Sequence, residues 1–128
     1  MPAERVPLAL HLDSLSEPER ELWDRYVELV EAAGESELVS TKSGVAFRAA
    51  ESRFTGAFFK SRRLELWFDL PQPVPEEERD GRFREVWEHS RTKWVHRLKI
   101  ERLADLDCKL ARWLSQSWHA YSKPAAER

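Results

Sequence analysis

The sequence is poor in the residue types on which several classes of protein depend. Its 128 residues include one cysteine, Cys108, so no disulfide can form within the chain, and a reducing, cytoplasmic location is expected. Four glycines are too few for a glycine-rich phosphate-binding loop. No apolar run approaches the roughly 20 residues that a membrane-spanning helix needs, so we expect no membrane partner.

The N-terminal residues lack the small-residue cleavage site of a signal peptide. The length corresponds to one domain, which we predict to comprise residues 11–122. Residues 1–10 would then form an N-terminal extension and residues 123–128 a C-terminal tail.

The spacing of the reactive residues does not match the common catalytic and metal sites. The four histidines are scattered, without a His-x-x-x-His or Cys-x-x-Cys pair, and no Gly-x-Ser-x-Gly is present. Glu65 and Asp69 share a predicted strand face, but four residues separate them by about 13 Å, beyond the roughly 5–10 Å of paired glycosidase carboxylates. We therefore assign no catalytic residues and expect no cofactor and no metal.

Charge is divided unevenly along the chain. Residues 1–37 contain ten acidic and three basic residues, a net charge of −7, whereas residues 38–128 contain thirteen acidic and eighteen basic residues, a net charge of +5. The acidic excess falls mostly on a predicted helix, and the basic excess falls on predicted strands and turns. The basic part is either ordinary solvated surface or a face that recognises anions.

The clearest helix follows Ser16. Ser16 and Glu19 have the spacing of a capping box, with Pro18 in the first turn. A stripe of apolar residues at helical spacing follows, and Gly34 suits a left-handed residue at the helix end. The stripe consists of Leu22, Trp23, Tyr26, Val27, Val30 and Ala33.

After Gly34 the hydrophobic period changes to two, which predicts strands at 38–41, 45–48, 54–59, 64–70 and 94–100. Alternation within 64–70 places four apolar side chains on the core side and Glu65, Trp67 and Asp69 on the other. Within 94–100 it places His96 on the core side, with Arg97 and Lys99 opposite.

The remaining segments are a proline-rich surface loop at 71–81, a short helix after Asp80, and a C-terminal helix capped by Asp105 and ended by Pro124. We therefore predict an α+β fold of two layers. An antiparallel-rich sheet of about five strands would carry the N- and C-terminal helices on one face. The other face would be left without a helix.

Three stretches resemble a known family. They are residues 40–48 (STKSGVAFR), residues 62–70 (RRLELWFDL), and residues 92–100 (TKWVHRLKI) with the following LD and LARWL. The family is the bacterial domain of unknown function 5655, and the likeness covers roughly residues 11–121, although the segment 71–91 departs from its pattern. The resemblance implies a single small α+β domain and no established reaction.

The functional hypothesis concerns the face without a helix. We expect a non-enzymatic binding or interaction module whose partner is a protein or an anionic ligand, with Trp67 as a stacking surface, unless the loop at 71–81 covers that side chain. Alternatives are a pocket for a small ligand or metal near His96, with hydrolase-like chemistry, and a symmetric homodimer through the same face. A nucleic-acid accessory domain is less favoured because the pI is only about 6.1. The candidate residues are Lys42, Arg48, Arg62, Arg63, Trp67, His96, Arg97 and Lys99.

Overall fold

The computed structural model describes residues 5–123. Three helices and six strands follow one another along the chain. They are α1 (Leu8–Leu12), α2 (Glu17–Ala33), β1 (Glu37–Thr41), β2 (Gly44–Ala49), β3 (Ser52–Lys60), β4 (Arg63–Leu70), β5 (Phe83–Ser90), β6 (Lys93–Ile100) and α3 (Cys108–Tyr121). Short 3₁₀ turns at Glu76–Glu78 and Leu103–Asp105 precede β5 and α3.

The six strands form one antiparallel sheet in the order β1-β2-β3-β4-β6-β5. Tight turns join the neighbours β1 to β4 in sequence, and a turn joins β5 to β6. The connection from β4 to β5 is longer because β6 lies between these two strands. The predicted α+β class is confirmed, and the sheet has one strand more than the five expected.

The core lies between one sheet face and the helices α2 and α3. Leu64, Leu66, Phe68 and Leu70 of β4 are buried there, as the alternation predicts. Two buried polar contacts link the layers, since the Tyr26 and Thr55 hydroxyls are 2.9 Å apart and the Ser117 hydroxyl lies 3.0 Å from the Phe54 carbonyl oxygen. The capping box at Ser16 and Glu19 is present at the start of α2.

The short helix predicted after Asp80 is wrong, because this segment is strand β5. Phe83, Val86 and Trp87 have helical spacing, which favours a helix when the segment is considered alone. Pairing with β6 overrides that preference, and two register shifts in β5 interrupt the strict alternation that would have predicted a strand.

Two predicted helix boundaries also need correction. Asp107, not Asp105, caps α3, and its side chain accepts a hydrogen bond from the Leu110 amide. Asp105 instead accepts hydrogen bonds from the amides of Glu101 and Arg102. Gly34 ends α2 with a φ of 152° and a ψ of 177°, which is not left-handed helical but is equally specific to glycine. Pro124 lies outside the described residues.

The residues before α2 are packed against the domain. The Val6 amide donates to the Ser40 carbonyl oxygen, and His11 of α1 donates from Nε2 to the Thr41 carbonyl oxygen at 2.7 Å. The His11 ring stacks on Phe59 with centroids 4.9 Å apart. This segment thereby protects the end of the outer strand β1. Between residues 5 and 123, the structure contains no helix with both the length and the apolar character needed to cross a membrane.

Gly34 generates a stability prediction. A Cβ at this position would overlap the indole ring of Trp118, and its φ is unfavourable for any other residue. Gly34→Ala should therefore lower the free energy of unfolding by about 2–4 kcal/mol, measured by urea denaturation. Gly81→Ala is the matched control, since Gly81 has a φ of 68° but open space around it, and should cost about 1 kcal/mol. Equal losses would show that the Trp118 contact contributes nothing.

Candidate functional site

The candidate site is built on the sheet face opposite α2 and α3, called here the open face. Cross-strand pairing places Trp67 directly opposite Arg97, and Asp69 directly opposite Val95. Trp87 of β5 pairs with Val95 from the other side. Because the neighbours of these residues along β4 and β6 point into the core, all of them project from the open face.

A cavity of about 380 Å³ lies on the open face, within the roughly 300–1,000 Å³ typical of ligand pockets. We call it the open-face cavity. It is lined by Arg53, Phe58, Trp67, Asp69, Trp87, His89, Lys93, Val95 and Arg97. Three aromatic side chains therefore share a small concave surface with several ionisable groups.

Trp67 owes its position to a glycine on the neighbouring strand. Its indole lies over Gly56, which is its register partner on β3, and a Cβ at Gly56 would come within 2.5 Å of Nε1. On the other side of the cavity, Trp87 projects from the outermost strand with 38% of its surface exposed. The loop at 71–81 packs toward α3, so it does not cover Trp67.

Asp69 is the most unusual group in the cavity. It is only 5% exposed, and its Oδ1 has no hydrogen-bond partner among the described residues. Its Oδ2 lies 3.6 Å from Nζ of Lys93. Burial raises the pKa of Asp69 to about 6, although Lys93 and His89 act in the opposite direction.

Glu65 is a second buried carboxylate on this face, but it is fully paired. Arg97 donates to it at 3.2 Å and Arg63 at 3.4 Å, and Arg84 forms a further ion pair. Burial alone would raise the pKa of Glu65, but the three guanidinium groups outweigh it and hold that pKa below its usual range. These contacts connect β4, β5 and β6 across the open face.

Two guanidinium groups of the cavity remain accessible to a ligand. Arg97 lies 5.2 Å from the centroid of the Phe58 ring and is partly exposed, even though it contacts Glu65. Arg53 is exposed and has no ion-pair partner among residues 5–123. With Lys93, these residues give the cavity more positive than negative side chains.

Three other cavities are larger than the open-face cavity. One, of about 490 Å³, offers no aromatic ring and is lined by charged side chains, namely Arg82, Lys99, Glu101, Arg102 and Asp105. The other two also differ in chemistry from the open-face cavity. One of about 680 Å³ lies between the loop at 71–75 and α3, and one of about 900 Å³ lies between the end of α2 and β1. The charged groups that line these last two cavities are mostly exposed carboxylates. Among the described buried polar side-chain atoms that lack a hydrogen-bond partner, Arg48 Nε alone belongs to a residue that lines one of them. Because Arg48 already binds Glu37 at 2.7 Å, the open-face cavity is the stronger candidate.

Of the eight residues proposed from the sequence, Trp67 and Arg97 line the open-face cavity. Arg63 contacts Glu65, and Lys99 is exposed opposite Glu65 on β6. Lys42 and Arg62 lie in the β1–β2 and β3–β4 turns, away from the cavity.

His96 is fully buried and is used by the fold. Its Nε2 accepts a hydrogen bond from the Val74 amide at 3.0 Å, its Nδ1 lies 3.4 Å from the Phe68 carbonyl oxygen, and its ring stacks on Phe68. Burial lowers the pKa of His96 to about 4. Both ring nitrogens therefore face backbone groups, and the geometry does not favour a ligand or metal site at this residue.

Several cavity residues were not among the candidates. Asp69 and Val95 lie on the face that alternation identifies, so their positions were accessible from the sequence. Trp87 and His89 belong to the segment predicted as a helix. Arg53 precedes a register shift between β2 and β3, which changes the direction of its side chain.

The described residues contain no group of three or more His, Cys, Asp or Glu side chains that could hold a metal ion. The groups that the cavity offers to a ligand are aromatic rings, cationic side chains and the buried Asp69 carboxylate.

The shifted pKa values of His96 and Asp69 act on stability in opposite directions. His96 has a folded pKa below its unfolded value, so its contribution is lost as the pH falls from about 6.5 to about 4. Asp69 has a folded pKa above its unfolded value, so protonation stabilises the fold as the pH falls from about 6 to about 4.

Asp69→Asn removes the stabilisation that protonation of Asp69 provides as the pH falls. Relative to the original chain, the variant should lose about 2 kcal/mol of unfolding free energy between pH 7 and pH 4, measured by urea denaturation. Asp24→Asn, at an exposed position on α2, should not show this change. A difference between Asp69→Asn and the original chain that is independent of pH would contradict the raised pKa of Asp69.

Comparison with known proteins gives no match to a family model, to a curated protein or to a solved structure. The resemblance to the domain of unknown function 5655 family therefore stays a prediction.

Proposed function

We propose that this domain is a non-enzymatic binding module whose open-face cavity holds a small ligand with a planar ring and an anionic group. The observation that carries the proposal is the joint placement of Trp67, Trp87 and Arg53 around one cavity, where Arg53 has no ion-pair partner among residues 5–123. Indole rings bind planar rings by stacking, and guanidinium groups bind carboxylate, sulfonate or phosphate groups.

The packing on the two faces of the sheet supports this assignment. The helix-covered face is filled with apolar side chains, and its buried polar groups Thr55, Ser117 and His96 have hydrogen-bond partners, whereas Ser40 Oγ has none among the described residues. The open face instead contains aromatic side chains that remain partly exposed and cations that exceed the acidic groups of the cavity. Trp67 and Trp87 line one concave surface, and a ligand in the cavity would bury the exposed part of Trp87.

The cations of the cavity are not all needed for the fold. Arg97 contributes to the neutralisation of Glu65, but Arg63 and Arg84 also contact that carboxylate. Arg53 neutralises no carboxylate among the described residues, so its guanidinium group can bind a ligand anion without giving up an ion pair within residues 5–123. This arrangement favours an anionic ligand over a cationic one.

A fluorescent aromatic sulfonate, 8-anilinonaphthalene-1-sulfonate, is a suitable probe because it combines a planar ring with an anion. It should bind the folded protein saturably at one site. Trp87→Ala should weaken binding by about 5- to 50-fold through lost stacking, and Arg53→Ala by about 5-fold through lost charge. The measurement is a fluorescence titration at pH 7.5.

Leu103→Ala is the control, since Leu103 is a 50% exposed apolar residue outside the cavity, and it should leave the affinity unchanged. Circular dichroism and the urea midpoint verify that each variant is folded. Unchanged affinity in both Trp87→Ala and Arg53→Ala would refute the proposal.

A further inference from the structure

Asp69 gives the open-face cavity a buried carboxylate oxygen without a hydrogen-bond partner in the described part of the chain, and neither the aromatic rings nor the cations of the cavity explain it. Its side chain is 93% buried, it lines the open-face cavity, and its Oδ1 lacks a hydrogen-bond partner. The fold uses the backbone of this residue, whose carbonyl oxygen accepts from Ser117, but not this carboxylate oxygen. A buried acceptor without a partner is costly, and a ligand N–H would satisfy it.

The position of Asp69 fits the edge of a stacked ring. Asp69 and Trp67 are two residues apart on the same face of β4, about 7 Å along the strand. Val95 separates Asp69 from Trp87 in one cross-strand row. A ring that lies over Val95 and contacts one of the indoles therefore directs an edge toward the carboxylate.

Lys93 specifies the chemistry of that edge further. An ionised carboxylate only accepts hydrogen bonds, whereas the ammonium group 3.6 Å from Oδ2 only donates. Together they complement an edge on which hydrogen-bond donors lie beside an acceptor. Guanine has two adjacent donors, N1–H and N2–H₂, next to the O6 acceptor, whereas adenine has a single donor, N6–H₂, next to the N1 acceptor, so guanine offers the Asp69 carboxylate two donors where adenine offers one.

On this basis, and resting on the proposed function, we infer that the open-face cavity binds a guanine nucleotide. Asp69 would accept from N1–H or N2–H₂, Lys93 would donate to O6, Trp67 or Trp87 would stack on the base, and Arg53 with Arg97 would bind the phosphate. The same base and phosphate occur in a free mononucleotide and in a single-stranded RNA.

The first test is isothermal titration calorimetry with GMP, IMP and AMP at pH 7.5. IMP lacks the exocyclic amine of GMP, and AMP also lacks the N1–H donor. We expect GMP to bind about tenfold or more tightly than AMP, with IMP between them. Equal affinity for the three nucleotides would overturn the inference.

The second test exchanges donor and acceptor groups. In Asp69→Asn an amide replaces the carboxylate and can donate to O2 of xanthine, so this variant should bind XMP in preference to GMP. Glu85→Gln is the control, because Glu85 faces Arg97 from β5 but does not line the cavity, and it should keep the preference for GMP. Loss of GMP binding in both variants would contradict a specific role for Asp69.

The sulfonate probe separates this inference from the proposed function. If Trp87→Ala and Arg53→Ala weaken the probe but no nucleotide displaces it, the guanine inference fails and the binding site stands. If the probe is insensitive to both variants, the proposed function itself fails. Displacement by GMP but not by AMP supports the inference.

The single-stranded hexanucleotides UUGUUU and UUAUUU distinguish the two sources of the base. Stronger binding of the guanine-containing hexamer than of GMP assigns RNA as the source, and the reverse order assigns the free nucleotide.

Discussion

Burial of the four inner side chains of β4 against α2 and α3 determines the direction of the other side chains in the regularly paired parts of the central strands. Leu64, Leu66, Phe68 and Leu70 are almost completely inaccessible to solvent, so Glu65, Trp67 and Asp69 must project from the opposite face. Antiparallel pairing extends this constraint to β3, β6 and β5. A shift of one residue would expose the core side chains and bury charged ones, and this makes the register a strong determinant of the site.

The open face has no helix to cover it, yet two of its carboxylates are buried. Glu65 is compensated by Arg63, Arg84 and Arg97, so its charge is retained within a network of side chains. Among the described residues, Asp69 has one ion-pair partner, Lys93, whose Nζ lies 3.6 Å from Oδ2. The two carboxylates on this strand therefore differ, because Glu65 is held by three guanidinium groups whereas Asp69 Oδ1 has no hydrogen-bond partner among the described residues.

Local sequence patterns predicted much of this fold because the residues that form the patterns are also the residues that pack together in the folded domain. The Ser16 capping box, the apolar stripes of α2 and α3, and the alternation in β4 and β6 all describe residues that bury one face. β5 was not predicted, since its register shifts hide a period of two and its partner β6 follows it in the chain. For the same reason Trp87 and His89 were missed, and the cavity could not be assembled without the strand that supplies them.

The irregular pairing of β5 affects how readily a strand of another protein chain can pair with this edge of the sheet. An outermost strand offers unpaired amide and carbonyl groups to any incoming strand. Register shifts near both ends of β5, together with the charged side chains of Arg84, Glu85 and Glu88, disfavour a regular backbone ladder on that side. The outermost strand, which carries Trp87, is thereby a poor template for the growth of a longer, intermolecular sheet.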